Sequence, residues 1–318
     1  MTTPAGRSSP SERAWHSLDE VEAAPSVVTI GFFDGVHRGH QAIFDRTAAS
    51  AEELGLRALA VTFDRHPSEV LRPGSQPPLL MTRERRVRTL LEVGADRVLV
   101  LPFTLELSQL EPAAFVDQVL VAVLDVRKAV VGSNFRFGHR ASGDVSLLAD
   151  LGTAHGFDVE AVPLRSHLDR PISSSTIRQR LADGDVRWVA EALGRPHVLD
   201  GTVVRGDRRG HQLGVPTINV DVSERMAFPA NGVYAGDVDI PDGRWPAVTS
   251  VGTRPTFDGE TVTVESHLLD FDGDLYGAQV SVGFTHRLRD ELKFDTVGDL
   301  VAAMEDDIRH ARALLSIG

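Results

Sequence analysis

Two stretches of the chain concentrate the residue types that phosphate chemistry uses. The first is Gly31-Phe32-Phe33-Asp34-Gly35-Val36-His37-Arg38-Gly39-His40, directly after the branched run 27–30. A glycine that ends a buried strand lets the backbone turn sharply and approach a ligand. Gly35 and Gly39 keep the next turns free of Cβ atoms. His37 and His40 are three apart at the start of a helix, so they share one face. That helix start adds unsatisfied N–H groups and a positive dipole end. Two imidazoles there would stabilise negative charge developing on phosphate, with no covalent intermediate. Gly31, Asp34, Gly35 and Gly39 are therefore candidate nucleotide- or phosphate-binding residues. A zinc reading of His-x-x-His lacks third and fourth ligands.

The second stretch, residues 201–220, places Gly206, Gly210 and Gly214 before Pro216-Thr217-Ile218-Asn219. Backbone amides of such a loop can wrap phosphates, although most glycine-rich loops are ordinary turns. The Thr217 hydroxyl and Asn219 carbonyl lie two apart, so on extended chain they point the same way. Oxygen donors with room for water and phosphate suit Mg2+. In residues 261–269, Val262, Val264 and Leu268 alternate with Thr261, Thr263, Glu265 and His267, which puts Glu265 on the polar face of a strand. Such a Glu by itself is ordinarily just solvated.

Other residues admit two readings each. Asn134 can donate and accept toward a polar ligand edge, or merely form a turn before Phe135-Arg136-Phe137-Gly138. Ser173, Ser174 and Ser175 offer hydroxyls to a phosphate, or simply cap a helix. Arg178 is the better phosphate candidate, because guanidinium matches phosphate oxygens two at a time. Asp64 and His66 either touch phosphate or Mg2+ or lie in a solvated loop.

The elements that must position these groups follow from periodicity. Apolar runs at 27–30, 59–63, 98–101, 129–131 and 159–162 alternate with helix-like stretches at 40–54, 82–93, 112–124 and 145–155. This alternation predicts a parallel sheet covered by helices on both faces, with ligands beyond the carboxyl ends of its strands. From residue 197 onward, β-branched residues alternate with polar ones at 201–204, 233–240, 247–251, 261–269 and 278–284. That pattern predicts an antiparallel barrel or sandwich, and residues 297–315 predict a closing helix. The division is expected at residues 15–186 and 187–318.

Composition narrows the classes further. The net charge is −12, and residues 186–318 carry 13 basic against 21 acidic side chains, so neither nucleic acid nor an anionic membrane is expected as a partner. There is no cysteine, which removes disulfides, thiolate zinc sites and Cys nucleophiles. Lys128 and Lys293 are the two lysines, and neither lies in a Walker phosphate loop. Residues 1–14 are polar and are expected to form a loose tail rather than a signal peptide. No apolar run is long enough to span a membrane, so the cytoplasm is the expected location.

Taken together, the motifs resemble those of the prokaryotic bifunctional riboflavin kinase/FMN adenylyltransferase (FAD synthetase) family, over about residues 15–315. Residues 31–40 resemble the HIGH-type signature of nucleotidylyltransferases. Residues 62–67 (TFDRHP), 130–144 (VVGSNFRFGHRASGD) and 172–178 (ISSSTIR) resemble further family segments. Ser175 stands where the family usually has Thr, and Phe32 where many members have Asn. Residues 216–219 resemble the riboflavin kinase PTxN signature, and residues 264–269 the V-E-x-H-L-L segment. The resemblance implies a Rossmann-like adenylyltransferase domain followed by a β-barrel kinase domain with a carboxy-terminal helix. It implies substrates riboflavin, FMN, FAD and ATP, with Mg2+ held through Thr217 and Asn219. It implies that Glu265 is the base for the riboflavin 5′-hydroxyl, and that His37, His40 and Arg178 stabilise charge on the phosphates. Residues 250–259 and 287–294 would help form the flavin pocket, with Arg289 either a flavin contact or purely structural. The rival readings are an enzyme with one working activity, a noncatalytic flavin- or nucleotide-binding regulator, and an RNA-binding barrel. A regulator is expected to have lost His40, Asn219 or Glu265, and all three are present. An RNA-binding barrel is expected to interleave aromatic with basic residues, which this one does not.

Overall fold

The computed structural model describes residues 9–167, 170–206, 214–256 and 259–316. The chain divides into two compact units. One holds the described residues up to Pro77 together with Arg83–Ser173; the other holds Pro78–Thr82 and the described residues from Ser174 onward.

The first unit is built on β1 (Ala14–Trp15), β2 (Ser26–Ile30), β3 (Arg57–Phe63), β4 (Arg97–Leu101), β5 (Val126–Gly132) and β6 (Asp158–Val162). They form one parallel sheet in the order β1-β4-β3-β2-β5-β6. Strand order therefore reverses direction between β2 and β5, where ligands of open parallel sheets bind. Val27, Val28, Leu59, Val61, Leu99, Ala129 and Val131 are fully buried, which is why these strands read as continuous apolar runs. The helices are α1 (Arg38–Leu54), α2 (Pro67–Leu71), α3 (Arg83–Glu92), α4 (Leu105–Ser108), α5 (Pro112–Phe115) and α6 (Val145–His155), and β7 (Ser166–His167) pairs with β8 (Arg170–Pro171). α1 turns Ala42, Phe44, Thr47, Ser50 and Ala51 inward and stops at Gly55, whose φ of 65° ends the helix in the left-handed conformation.

The stretch expected as one helix at 112–124 begins as α5 and then widens. Ala122 N–H bonds Asp117 O and Leu124 N–H bonds Val119 O, five residues apart, over Val116–Val121. The short β1 was not anticipated, because two residues are too few to show a period. Its Trp15 is buried, with the guanidinium carbons of Arg57 and Arg97 5.2 and 5.3 Å from the ring centroid.

The second unit begins with α7 (Ser174–Ala182) and α8 (Val186–Leu193) and continues through β9 (His197–Val204), β10 (Ile218–Asp221), β11 (Gly232–Ile240), β12 (Gly243–Thr256), β13 (Gly259–Leu268), β14 (Gln279–Phe284) and β15 (His286–Arg289) to α9 (Val297–Leu314). The order β12-β13-β10-β9-β14-β11, closed by β11 on β12, is an antiparallel six-stranded barrel, with β15 added on β11. Its interior is filled by residues such as Leu199, Val203, Val251, Val264, Val282 and Phe284. The segment Pro78–Thr82 joins this unit: Leu79 exchanges backbone hydrogen bonds of 2.8 Å with Arg225 and Ala227, and Leu80 and Met81 are buried.

Candidate active sites

In the first unit the geometry follows from three glycines and one helix start. Gly31 ends β2, and a Cβ there would meet the Phe33 ring at 2.9 Å. Phe33 (φ 54°), Gly35 (φ 81°) and Val36 (φ 38°) then turn the chain through the left-handed region within four residues. This is costly for a β-branched residue, and it persists because Phe33 and Val36 are buried. His37 caps α1, with its Nδ1 accepting from His40 N–H at 3.3 Å. The two imidazoles stack with centroids 3.6 Å apart. A Cβ on Gly39 would lie 3.1 Å from the His37 ring, so glycine makes room for the stack.

His40 Nδ1 has no accessible surface and no hydrogen-bond partner. Burial, reinforced by His37, holds the His40 pKa well below 6.5. A pKa shifted in that direction favours the neutral imidazole at physiological pH.

A cavity of about 780 Å³ opens at the carboxyl ends of β2, β3, β4 and β5. Gly31, Phe32, Phe63, Leu71, Phe103, Phe115 and Phe137 give it apolar walls, and Asn134 stands exposed at its edge. Arg72, Arg136, His139 and Arg140 also line it, with no acidic residue among the lining groups. Aromatic walls and a basic rim fit a planar anion. Sequence reasoning missed Phe103 and Phe115, which come from the segment after β4 and from α5 and share no spacing with the quoted motifs.

Asp34 is 2% exposed and lies inside the loop rather than on its surface. Asp64 Oδ1 accepts from Phe103 N–H at 2.8 Å and Oδ2 pairs with Arg65. His66 caps α2, accepting from Ser68 N–H while the Glu69 carboxylate accepts from His66 N–H. Ser174 and Ser175 open α7 in the second unit, and Arg178 on that helix donates from Nε to Pro78 O at 2.6 Å.

In the second unit the barrel register brings the key groups together. Asn219 on β10 pairs directly with Glu265 on β13, so both side chains project from one face of the ladder. Ser250 on β12 flanks Glu265 on its other side. Arg254 Nη2 stands 3.7 Å from the Glu265 carboxylate. His267 Nδ1 contacts Pro216 O at 2.7 Å and ties β13 to the segment that carries Thr217. A Cβ on Gly206 would overlap the Asn219 amide, so glycine leaves the space that side chain occupies. Gly214 takes φ 79°. Gly210 lies outside the described residues.

Two cavities meet at Thr217. One, about 500 Å³, is lined by Val203, Pro216, Ile218, Phe271, Asp272, Leu275 and Tyr276. The other, about 230 Å³, is lined by Val233, Ser250, Glu265, His267 and Arg289, and by Leu300, Met304, Asp307 and Ile308. Arg289 does not extend a free guanidinium into this cavity. Its Nε and Nη2 donate to the Asp307 carboxylate at 2.7–3.1 Å, and Asp307 is 5% exposed.

Among the described residues no group of three His, Asp or Glu side chains could hold a metal. The donors at hand, Thr217 and Asn219, are neutral oxygens, which fit a hard cation that arrives with nucleotide phosphates. No described helix is long and apolar enough to cross a membrane.

Comparison with known proteins agrees with this two-part reading. A family model described as FAD synthetase matches residues 19–176, and one described as riboflavin kinase matches residues 193–315. A bifunctional riboflavin kinase/FMN adenylyltransferase of Pseudomonas fluorescens is 41% identical over 95% of this chain and 96% of its own length. The protein of the same description from Escherichia coli K12 is 34% identical, over 96% and 97%. A crystal structure from Streptococcus pneumoniae, named as a macrolide-efflux protein, superposes with a TM-score of 0.86 at 31% identity, covering 94% of this chain and 98% of that one. The chain belongs to the bifunctional riboflavin kinase/FMN adenylyltransferase family.

Proposed function

We propose that this chain phosphorylates riboflavin to FMN with ATP and then adenylylates FMN to FAD with a second ATP, releasing pyrophosphate. The observation that carries the kinase half is the pairing of Asn219 with Glu265 beside the two cavities that share Thr217. ATP would occupy the larger cavity and riboflavin the smaller. Glu265 would accept the proton of the 5′-hydroxyl as that oxygen attacks the γ-phosphorus. Thr217 and Asn219 would hold Mg2+, which neutralises charge on the phosphates when bound. Arg289 acts here through Asp307, as a support of the wall rather than a flavin contact.

In the adenylyltransferase half, the cavity at the strand ends would receive the flavin of FMN, with its phosphate directed at the start of α1. The FMN phosphate oxygen attacks the α-phosphorus of ATP. The His37 and His40 imidazoles would steady the charge that develops, while Arg178 lies on α7 of the second unit. Gly31, Gly35 and Gly39 let the loop approach the phosphates. The functional division is taken at 15–186 and 187–318, and the cytoplasm as the location.

The test is a time course of purified protein with riboflavin, ATP and Mg2+, with flavins separated by chromatography. Riboflavin should pass through FMN to FAD, and both steps should stop on chelation and resume with Mg2+. FMN that accumulates without FAD at high ATP would remove the adenylyltransferase half. No flavin product at all would favour a regulator.

A further inference from the structure

A buried arginine lies beside the first unit's phosphate loop. Arg86 is on α3 with 1% of its surface exposed, while Arg83 and Arg88 on the same helix are exposed. Burying a guanidinium is costly unless its charge and donors are put to use. Arg86 Nη2 donates to the carbonyl of Phe63, the last residue of β3. The guanidinium carbon sits 4.2 Å from the Phe32 ring centroid, just past the end of β2. Nε is buried without a hydrogen-bond partner. Burial lowers the Arg86 pKa to about 10 against the opposing field of buried Asp34, which leaves it charged at neutral pH.

Arg86 thus touches both strand ends that form the site. On the β2 side it meets the loop whose residues Phe33, Gly35 and Val36 hold positive φ. A strained loop of this kind keeps its shape only when its surroundings over-determine it. His37 and His40 follow that loop directly, so any relaxation of it moves the imidazole stack.

We propose that Arg86 is a positioning residue for adenylyl transfer: its buried guanidinium locks the Phe32–Asp34 turn to the end of β3 and so fixes the two histidines for the transferring phosphate, without touching substrate. This rests on the reading of the first unit as the adenylyltransferase.

The test uses the full chain with Arg86→Met, which keeps bulk and removes charge and donors, and Arg86→Lys, which keeps the charge. FAD formation from supplied FMN and ATP is measured with Mg2+. Riboflavin phosphorylation and thermal melting are read on the same preparations. Arg86→Met should lower kcat for FAD formation by roughly 10²-fold, the effect of about an ångström of misplacement, with KM for FMN and ATP within about threefold. Arg86→Lys should recover to within about tenfold of the parent, and riboflavin phosphorylation should stay at the parent rate in both. Arg86→Gln, uncharged but still an N–H donor, replaces Met if the Met variant does not fold, and the same loss of kcat is expected. A kcat within about threefold of the parent overturns the proposal, as does a raised KM at constant kcat. Equal losses in Met and Lys variants that track their melting temperatures also overturn it, since they would mark Arg86 as structural only. A parent enzyme that makes FMN but no FAD refutes the adenylyltransferase reading itself, and this inference with it.

Discussion

Asp307→Ala tests whether α9 is held by an ion pair as a wall of the smaller cavity, where riboflavin is proposed to bind. α9 carries Leu300, Met304 and Ile308 toward the smaller cavity, and these are half-buried, whereas Asp307 and Ala311 are its buried residues. Breaking a buried pair costs about 3–5 kcal/mol, because it strands the remaining charge. Here the stranded Arg289 has a side chain 22% exposed and keeps a bond from Nη1 to Asp290 O at 3.0 Å. Water and that carbonyl lower the expected cost to about 2 kcal/mol. For a unit of this size that corresponds to a fall in Tm of about 4–8 °C. If the loss appears as a displaced wall, riboflavin binding weakens by up to roughly 30-fold. The kinase kcat should stay within a few-fold, since Thr217, Asn219 and Glu265 come from the barrel and not from α9. Thermal denaturation and riboflavin saturation kinetics, with FAD formation from supplied FMN as internal control, measure all of this. An unchanged Tm together with an unchanged riboflavin KM would refute the argument. So would a drop in kcat at constant KM, which would place the pair in the chemistry.

Three further outcomes are expected. Glu265→Gln keeps the shape but cannot take a proton, so riboflavin phosphorylation should slow by roughly 10²–10⁴ while ATP affinity and FAD formation from FMN persist; a rate within a few-fold of the parent would reduce Glu265 to a solvated strand residue. His40→Ala should suppress FAD formation by roughly 10²–10³ with FMN formation near normal, and an equal loss of both activities, with circular dichroism unchanged, would count against separate sites. Glu160 is held down to about 2, first by its hydrogen bonds from Arg46, which outweigh the opposing cost of burial, with Lys128 adding to the effect. Its folded-state pKa is depressed, so its contribution is complete above the ordinary carboxylate range and is lost as pH falls through about 2. Because Arg46 is partly solvated, Glu160→Gln should remove about 1–2 kcal/mol at pH 7 and flatten the acid limb of a stability-versus-pH curve; an unchanged limb would show that the cluster contributes nothing.

The alternation of apolar runs with helical stretches sufficed to expect the parallel sheet, and the switch to period-two strands sufficed for the barrel. Buried parallel strands are apolar on both faces, and barrel strands on one, so each leaves its own signature in sequence. The phosphate-handling strings were legible because glycines, histidines and the PTxN element cluster within a few residues of one another. The turn-length strands β1 and β15 were not, since two to four residues carry no period. What only the tertiary structure decided is what covers each face. Periodicity cannot show that Pro78–Thr82 adds to the second unit, or that Arg289 spends its donors on Asp307. Nor can it show that one of the arginines on α3 turns inward beneath the loop. The lowered pKa of His40 belongs to the same class, because a pKa is set by burial and neighbouring charge, and folding supplies both from distant parts of the chain.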